Sequence, residues 1–336
     1  MSSILLLGVF LTSLLLTFVL RSYALRNKLM DVPNARSSHN TPTPRGGGVA
    51  IVVSFLTGLS ISMLSGMLPW AQFVGLFGAG AAVAVIGFAD DHGHIAARWR
   101  LLGHFMAAIW VLICFGGLAP LDIFGFNVDL GWFGAILAAI YLVWVLNLYN
   151  FMDGIDGIAG AEAICVTVAG AILYWLCGFT REIWVPLLLA SACGGFLLWN
   201  FPPAKIFMGD SGSGFLGVVL GAMALQAGWL EPQLLWSWLI LMGVFIVDAT
   251  FTMLHRLMRG EKVYEAHRSH AYQYASRQHF SHRKVTLAVV LINVFWLAPL
   301  SFWVGKGGLD GVSGLLIAYL PLLVLAIKYS AGKAEA

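Results

Sequence analysis

The sequence predicts an all-α, polytopic integral membrane protein of about 11 transmembrane helices, with a periplasmic N-terminus and a cytoplasmic C-terminus. Three observations predict it. Of 336 residues, 60% are apolar and only 10% are Asp, Glu, Lys or Arg, against about 25% charge in an ordinary soluble domain. So few charges cannot clothe a water-facing surface. The apolar residues gather into runs close to the ~20 residues that a helix needs to cross the hydrocarbon core. The cations, finally, collect in alternate loops. The same composition excludes other classes. Long apolar runs and 13% aromatic residues exclude a disordered chain. Cys114, Cys165, Cys177 and Cys193 lie inside apolar runs without CxxC spacing, so they read as lipid-buried thiols rather than a disulfide or zinc framework.

The expected spans lie near 2–20, 46–68, 70–89, 101–119, 132–149, 158–178, 185–200, 213–229, 234–254, 285–304 and 311–328. Runs such as Ile4–Leu7 and Leu287–Ile292 do not alternate apolar with polar residues, which makes the spans helices rather than barrel strands. Seventeen of the 19 Lys and Arg fall in the loops 21–45, 90–100, 201–212 and 255–284 or in the C-terminal tail; only Arg181 and Lys306 fall on the other side. Cations are retained on the cytoplasmic side, so this bias sets the orientation and supports the number of spans. The first span has no basic residue before it and Arg21, Arg26 and Lys28 after it, the charge order of a retained helix rather than a signal peptide. With no repeat and no low-complexity linker, residues 1–336 read as one domain, its motifs concentrated in about 30–285.

Eight of nine histidines lie in the loops assigned to the cytoplasm, so a site built from titratable groups is expected on that face. Five polar clusters stand there. The adjacent carboxylates of Asp90 and Asp91 repel each other and call for a cation; a divalent ion is economical, since Mg²⁺ takes one or two carboxylates plus substrate phosphates. A solvated helix-capping pair is the plainer reading of these two residues alone. In NLYNFMDGIDG at 147–157, Asn147, Asn150, Asp153 and Asp156 recur every three residues and would share one face. Four oxygen-bearing side chains at the end of an apolar span are costly unless used. In FMGDSGSG at 207–214, a Gly/Ser-rich turn opens a helix and would offer free N–H groups to a phosphate, with Asp210 beside it for a metal. The basic loop 255–284 carries His267, Arg268 and His270 among many cations, suited to an anionic ligand. The segment 31–48 adds His39 and Arg45 in a Pro- and Gly-rich loop. Together these features expect a polyanionic substrate that needs Mg²⁺ and meets its partner at the membrane: a nucleotide diphosphate compound and a lipid phosphate.

In this order, the Pro44–Gly48 loop, Asp90-Asp91, NxxNxxDGxDG, FMGDSGS and the His-containing loop resemble the polyprenyl-phosphate N-acetylhexosamine-1-phosphate transferase family, glycosyltransferase family 4. The resemblance implies a bundle of ten or eleven helices that moves a sugar 1-phosphate from a UDP-N-acetylhexosamine to undecaprenyl phosphate and releases UMP. It implies Asp90, Asp91 and Asp210 as catalytic residues, and Asp210, Asp91 and Asn150 as ligands of Mg²⁺, with Mn²⁺ as a substitute. Asn147, Asp153, Asp156, His267, Arg268, His270, Arg45 and His39 would bind substrate. The sparse motif His267-Arg-Ser-His270 resembles the enzymes that initiate O-antigen in the bacterial inner membrane, whose sugar is GlcNAc or a deoxy relative such as FucNAc or QuiNAc. Phospho-N-acetylmuramoyl-pentapeptide transfer is the alternative within the family. An ion-coupled transporter using Asp248 and Glu162 is the alternative outside it. Membrane lipid is an expected partner, a homodimer is admitted, and nucleic acid is not expected.

Overall fold

A computed structural model describes residues 2–33, 38, 41–93, 95–261 and 267–333. The chain is a bundle of helices: α1 (Ser2–Arg26), α2 (Gly48–Leu64), α3 (Trp70–Gly93), α4 (Ala97–Phe115), α5 (Gly131–Met152), α6 (Ile158–Leu176), α7 (Trp184–Asn200), α8 (Asp210–Leu230), α9 (Pro232–Leu241), α10 (Gly243–Met258), α11 (Ala271–His279), α12 (His282–Ile292), α13 (Ala298–Gly305) and α14 (Gly311–Lys328). A single π-turn at Asn293–Leu297 joins α12 to α13, so His282–Gly305 forms one long segment. Two small antiparallel pairs complete the described residues. β1 (Met30–Asp31) sets Met30 opposite Pro44 and Asp31 opposite Thr43 in β2 (Thr43–Pro44); β3 (Leu121–Ile123) pairs with β4 (Phe126–Val128).

Every expected span coincides with helix. Eight segments are long and apolar enough to cross a bilayer, and nine if the bent pair α9–α10 counts as one; α2 and α7 are shorter, at 17 residues each. The protein is an all-α, multi-pass membrane protein. Its large exposed apolar side chains, among them Ile4, Leu64, Trp132, Phe295 and Leu320, are those a lipid-facing surface requires. One expectation is corrected. The run 234–254 is not one straight span but two helices that meet at 71°. The break falls at Met242 and Gly243, where α14 crosses: a Cβ on Gly243 would stand 3.0 Å from the Tyr319 ring and 3.2 Å from Leu322.

α8 is the hub, with 17 of its 21 residues buried. Small residues let three neighbours reach its backbone. A Cβ on Gly217 would lie 2.6 Å from the Leu146 Cα of α5, and one on Gly87 of α3 would lie 2.6 Å from the Asp210 carbonyl. Gly48 of α2 and Gly212 of α8 meet as closely, a Cβ on either lying within 2.6 Å of the other's Cα. Glycine at each crossing removes the side chains that would hold the axes apart. The result gathers the C-terminal ends of α3 and α5 and the start of α2 around the N-terminus of α8. The residues that carry the polar motifs sit at those ends.

Candidate active site

A cavity of about 400 Å³ opens at this convergence, lined by Arg45, Asp91, Asn150, Asp153, Asp156 and Asp210 together with Asn200, Gln273 and His282. Its floor is built by the segment before α8. The Phe207 N–H donates to the Pro44 carbonyl at 2.8 Å, and the Gly47 and Gly48 N–H groups donate to the Phe207 and Met208 carbonyls, each at 2.9 Å. This ladder straps the FMGD segment to the 44–48 loop and brings Arg45 into the cavity. Gly209, at φ +77°, then turns the chain into α8, a left-handed conformation that favours glycine.

Asp91 closes that turn. Its carboxylate accepts the Asp210 and Ser211 N–H groups, each at 3.3 Å, while the Gly212 and Ser213 N–H groups donate to the Gly209 carbonyl. A carboxylate at a helix N-terminus is favoured by the partial positive charge there. The expectation that this turn offers free N–H groups to a phosphate is therefore corrected: Asp91 holds that position from within the protein. Arg45 in turn donates to the Asp91 carbonyl and lies 3.4 Å from its Oδ1.

Asp90 points elsewhere and is absent from the cavity lining. Its Oδ1 accepts the Ile95 N–H at 2.7 Å, and its Oδ2 pairs with the Arg100 guanidinium. The same Arg100 Nη1 lies 3.5 Å from Asp210 Oδ2, so α4 supplies a cation that bridges two of the motif carboxylates. Asn150 Oδ1 accepts the Ser213 hydroxyl at 3.2 Å. Asn147 lies a turn back along α5 and returns its amide to the Val143 carbonyl at 2.7 Å; it does not line the cavity. Burial, and then the nearby charges of Asp210, Asp91 and Asp156, hold the Asp153 carboxyl well above the usual carboxylate range. It opens only partly to the cavity. Asp156 is pinned instead: its Oδ2 accepts the Ala204 N–H at 2.9 Å and its Oδ1 stands 3.0 Å from His282 Nδ1. The other nitrogen of His282 faces the Ser38 carbonyl at 3.0 Å.

The His267–His270 segment takes a different place from the one expected. His270 is buried, 3.4 Å from the Asp248 carboxylate, and its ring lies against Phe151, Tyr272 and His267. Asp248 also accepts the Ala271 and Tyr272 N–H groups at 2.9 and 3.0 Å, which fixes the N-terminus of α11. Gln273, which accepts the His270 N–H at 3.2 Å, is the residue of this segment that lines the cavity. Burial, followed by the neighbouring His270 and Arg256, pushes His267 down to about 3 despite Asp248 nearby. It is therefore neutral near pH 7 and brings no positive charge to a diphosphate. Arg268 accepts at its carbonyl from Arg277 and, like His267 and His270, is not part of the lining. His39 lies outside the described residues. Glu162 is buried in α6, where one oxygen accepts the Asn293 amide; neither residue is part of the cavity lining.

The comparisons with known proteins identify the family. The sequence model described as glycosyl transferase family 4 matches residues 73–228, from within α3 to near the end of α8. A probable undecaprenyl-phosphate N-acetylglucosaminyl 1-phosphate transferase of Bacillus subtilis (strain 168) is 28% identical over 84% of this chain and 79% of its own length. A decaprenyl-phosphate N-acetylglucosaminephosphotransferase of Mycolicibacterium smegmatis is 30% identical over 87% of this chain and 79% of its own. A phospho-N-acetylmuramoyl-pentapeptide-transferase of Moorella thermoacetica is 32% identical over 63% of this chain and 68% of its own. The chain belongs to glycosyl transferase family 4, the polyprenyl-phosphate N-acetylhexosamine-1-phosphate transferases, and is a sugar-phosphate transferase.

Proposed function

We propose that this protein transfers an N-acetylated hexosamine 1-phosphate, of GlcNAc or a deoxy relative such as FucNAc or QuiNAc, from a UDP-sugar to undecaprenyl phosphate, and so initiates O-antigen or another cell-envelope polysaccharide. The observation that carries this reading is one cavity lined by Asp91, Asp210, Asn150 and Arg45, with Arg100 tied to Asp210 behind it. Anionic and cationic groups set side by side suit a diphosphate that arrives with a divalent ion. The relatives named for N-acetylglucosamine transfer to a polyprenyl phosphate cover most of this chain, which favours that reaction over muramoyl-pentapeptide transfer.

Mg²⁺, with Mn²⁺ as a substitute, fits the donor set. Among the described residues no three carboxylate, imidazole or thiolate groups converge as a closed cage. Mg²⁺ commonly takes only one or two carboxylates and completes its shell with water and phosphate oxygens. Asp91, Asp210 and Asn150 would hold it, and the ion would neutralise charge on the diphosphate and on departing UMP. The protein's own groups do the rest. Arg45 and Arg100 orient the diphosphate, Asp153 and Asp156 border the nucleotide, and Asp90 holds Arg100 in place. A lipid phosphate oxygen then attacks the β-phosphorus in line; one P–O bond forms as the bond to the UMP oxygen breaks. A phosphate monoester is already largely a dianion near pH 7, its second pKa being about 6, so positioning matters more than a general base.

The cation bias supports a cytoplasmic active site in the bacterial inner membrane, with the chain crossing 11 times as a single domain. The reading is tested by incubating purified protein with undecaprenyl phosphate, Mg²⁺ and a panel of UDP-N-acetylhexosamines while assaying UMP. UMP release that requires the lipid phosphate is expected with at least one of the panel, and failure with all of them overturns the proposal. Release only with the UDP-muramoyl-pentapeptide moves the protein to the alternative branch. A labelled enzyme trapped from a β-³²P donor without acceptor would replace the direct attack by a two-step route.

A further inference from the structure

A second cavity, of about 270 Å³, lies between α10, α11, α12 and α14 and shares no lining residue with the first. Its walls are mostly apolar, with Val247, Ala275, Val285, Ala288, Val289 and Leu322 among them. Its mouth carries the Lys284 ammonium group. Lys284 and His279 line it, His279 Nε2 stands 3.3 Å from the Tyr329 hydroxyl, and the Lys328 ammonium lies 5.6 Å from the Tyr329 ring. Lys284, His279 and Lys328 are all exposed. Among the described residues one acid lines the groove, Asp248, and its oxygens are already engaged by the Ala271 and Tyr272 N–H groups, the Thr252 hydroxyl and His270. An apolar slot between membrane helices, with the Lys284 and Lys328 ammonium groups at one end and neither in an ion pair among the described residues, has the chemistry of an anionic lipid site: the chain lies among aliphatic side chains and the phosphate meets the ammonium groups.

The groove and the catalytic cavity meet different faces of α11. Residues 271, 272, 275 and 279 of α11 face the groove, whereas Gln273 faces the catalytic cavity. α11 therefore presents one face to the groove and another to the first cavity, while α12 reaches both through Lys284 and His282. We propose that the groove between α10, α11, α12 and α14 is a binding site for an anionic phospholipid of the surrounding bilayer, distinct from the acceptor. Its occupant would brace α11, whose Tyr272 hydroxyl donates to the Phe151 carbonyl at 2.9 Å within the NxxNxxDG segment.

The test is native mass spectrometry of the full-length protein, delipidated in neutral detergent and titrated with phosphatidylglycerol or with phosphatidylcholine. One phosphatidylglycerol per chain is expected, held at least about tenfold more tightly than phosphatidylcholine, because each Lys near a phosphate contributes about 1 kcal/mol. Ala288→Trp, a change at an exposed wall position, should abolish binding of both lipids while the melting temperature stays near that of the wild type. The Lys284→Glu, Lys328→Glu double variant should erase the preference for phosphatidylglycerol. Equal retention of the two lipids, or a preference that survives both variants, overturns the proposal. Stoichiometric displacement of phosphatidylglycerol by undecaprenyl phosphate also overturns it, by making the groove the acceptor's. None of these readouts requires transfer activity, so they stand apart from the catalytic assay.

Discussion

Arg100 shows what a single side chain contributes here. Its guanidinium is shared between Asp90 and Asp210, so its removal leaves two carboxylates facing each other and takes away a cation beside the proposed diphosphate. Arg100→Ala is expected to lower kcat/KM for transfer on the order of 10²-fold, with partial recovery in Arg100→Lys and little change in melting temperature; wild-type kinetics would remove Arg100 from the site. Asp153 makes a prediction of the opposite kind. Its carboxyl is held above the usual range by burial and by three neighbouring carboxylates, so the folded protein binds a proton that the unfolded chain has already lost. Stability from this group is complete at low pH and falls as pH rises through the folded-state value. Asp153→Asn should therefore melt higher than the wild type in alkaline, metal-free buffer and lose part of the wild-type slope of melting temperature against pH. Parallel slopes would refute this account. Asp91, Asn150, Asp153, Asp156, Asp210 and Arg45 were legible in the sequence because each belongs to a short motif with its own spacing. Arg100, Gln273 and His282 were not, because their role arises where separate helices meet and no local pattern marks it. The contact between His270 and Asp248 was not legible for the same reason: the two lie on different elements.

At the scale of elements, the site depends on how closely α8 approaches its neighbours. α8 carries Asp210, α5 carries Asn150, and Gly217 is where their backbones touch. A side chain there must push the helices apart, since its Cβ would already sit 2.6 Å from the Leu146 Cα and 2.7 Å from the Val145 carbonyl. Gly217→Val is expected to cost about 1–3 kcal/mol through overpacking and to lower the melting temperature. Transfer should fall further than stability alone accounts for, because the shift separates Asn150 from Asp210. A variant that melts like the wild type would show that the crossing is looser than this contact requires. Helix positions were readable because an apolar run of membrane length leaves few choices. The 71° break between α9 and α10 was hidden, since composition reports only that a segment is apolar. Gly243 makes sense as a hinge once α14 is seen packed against it.

For the whole molecule, the cavity and most of the cationic side chains lie at the same end of the bundle. The helix ends that form the cavity border the loops that hold 17 of the 19 Lys and Arg. The opposite ends carry Arg181 and Lys306 and pair their polar groups locally: Gln72 with Gln226, Gln233 with Asp122, and the Phe124 N–H with Asp310. A cation costs more to carry across the membrane than to retain, so the end with the cavity should face the cytoplasm. Single cysteines placed in a variant without the four native thiols test this directly. With intact spheroplasts and a membrane-impermeant maleimide, Lys306→Cys should label at once, and Arg283→Cys should label only after permeabilisation. The reverse pattern would put the cavity outside, away from cytoplasmic nucleotide sugars, and would contradict both the orientation and the proposed donor. Labelling of both positions in intact cells would instead break the alternation of loops, and with it the count of 11 crossings. Because α9 and α10 meet at an angle, the span between them is where such a count is most exposed. A third cysteine at Gln233, near the start of α9, should label from outside together with Lys306→Cys if the bent pair crosses the bilayer once.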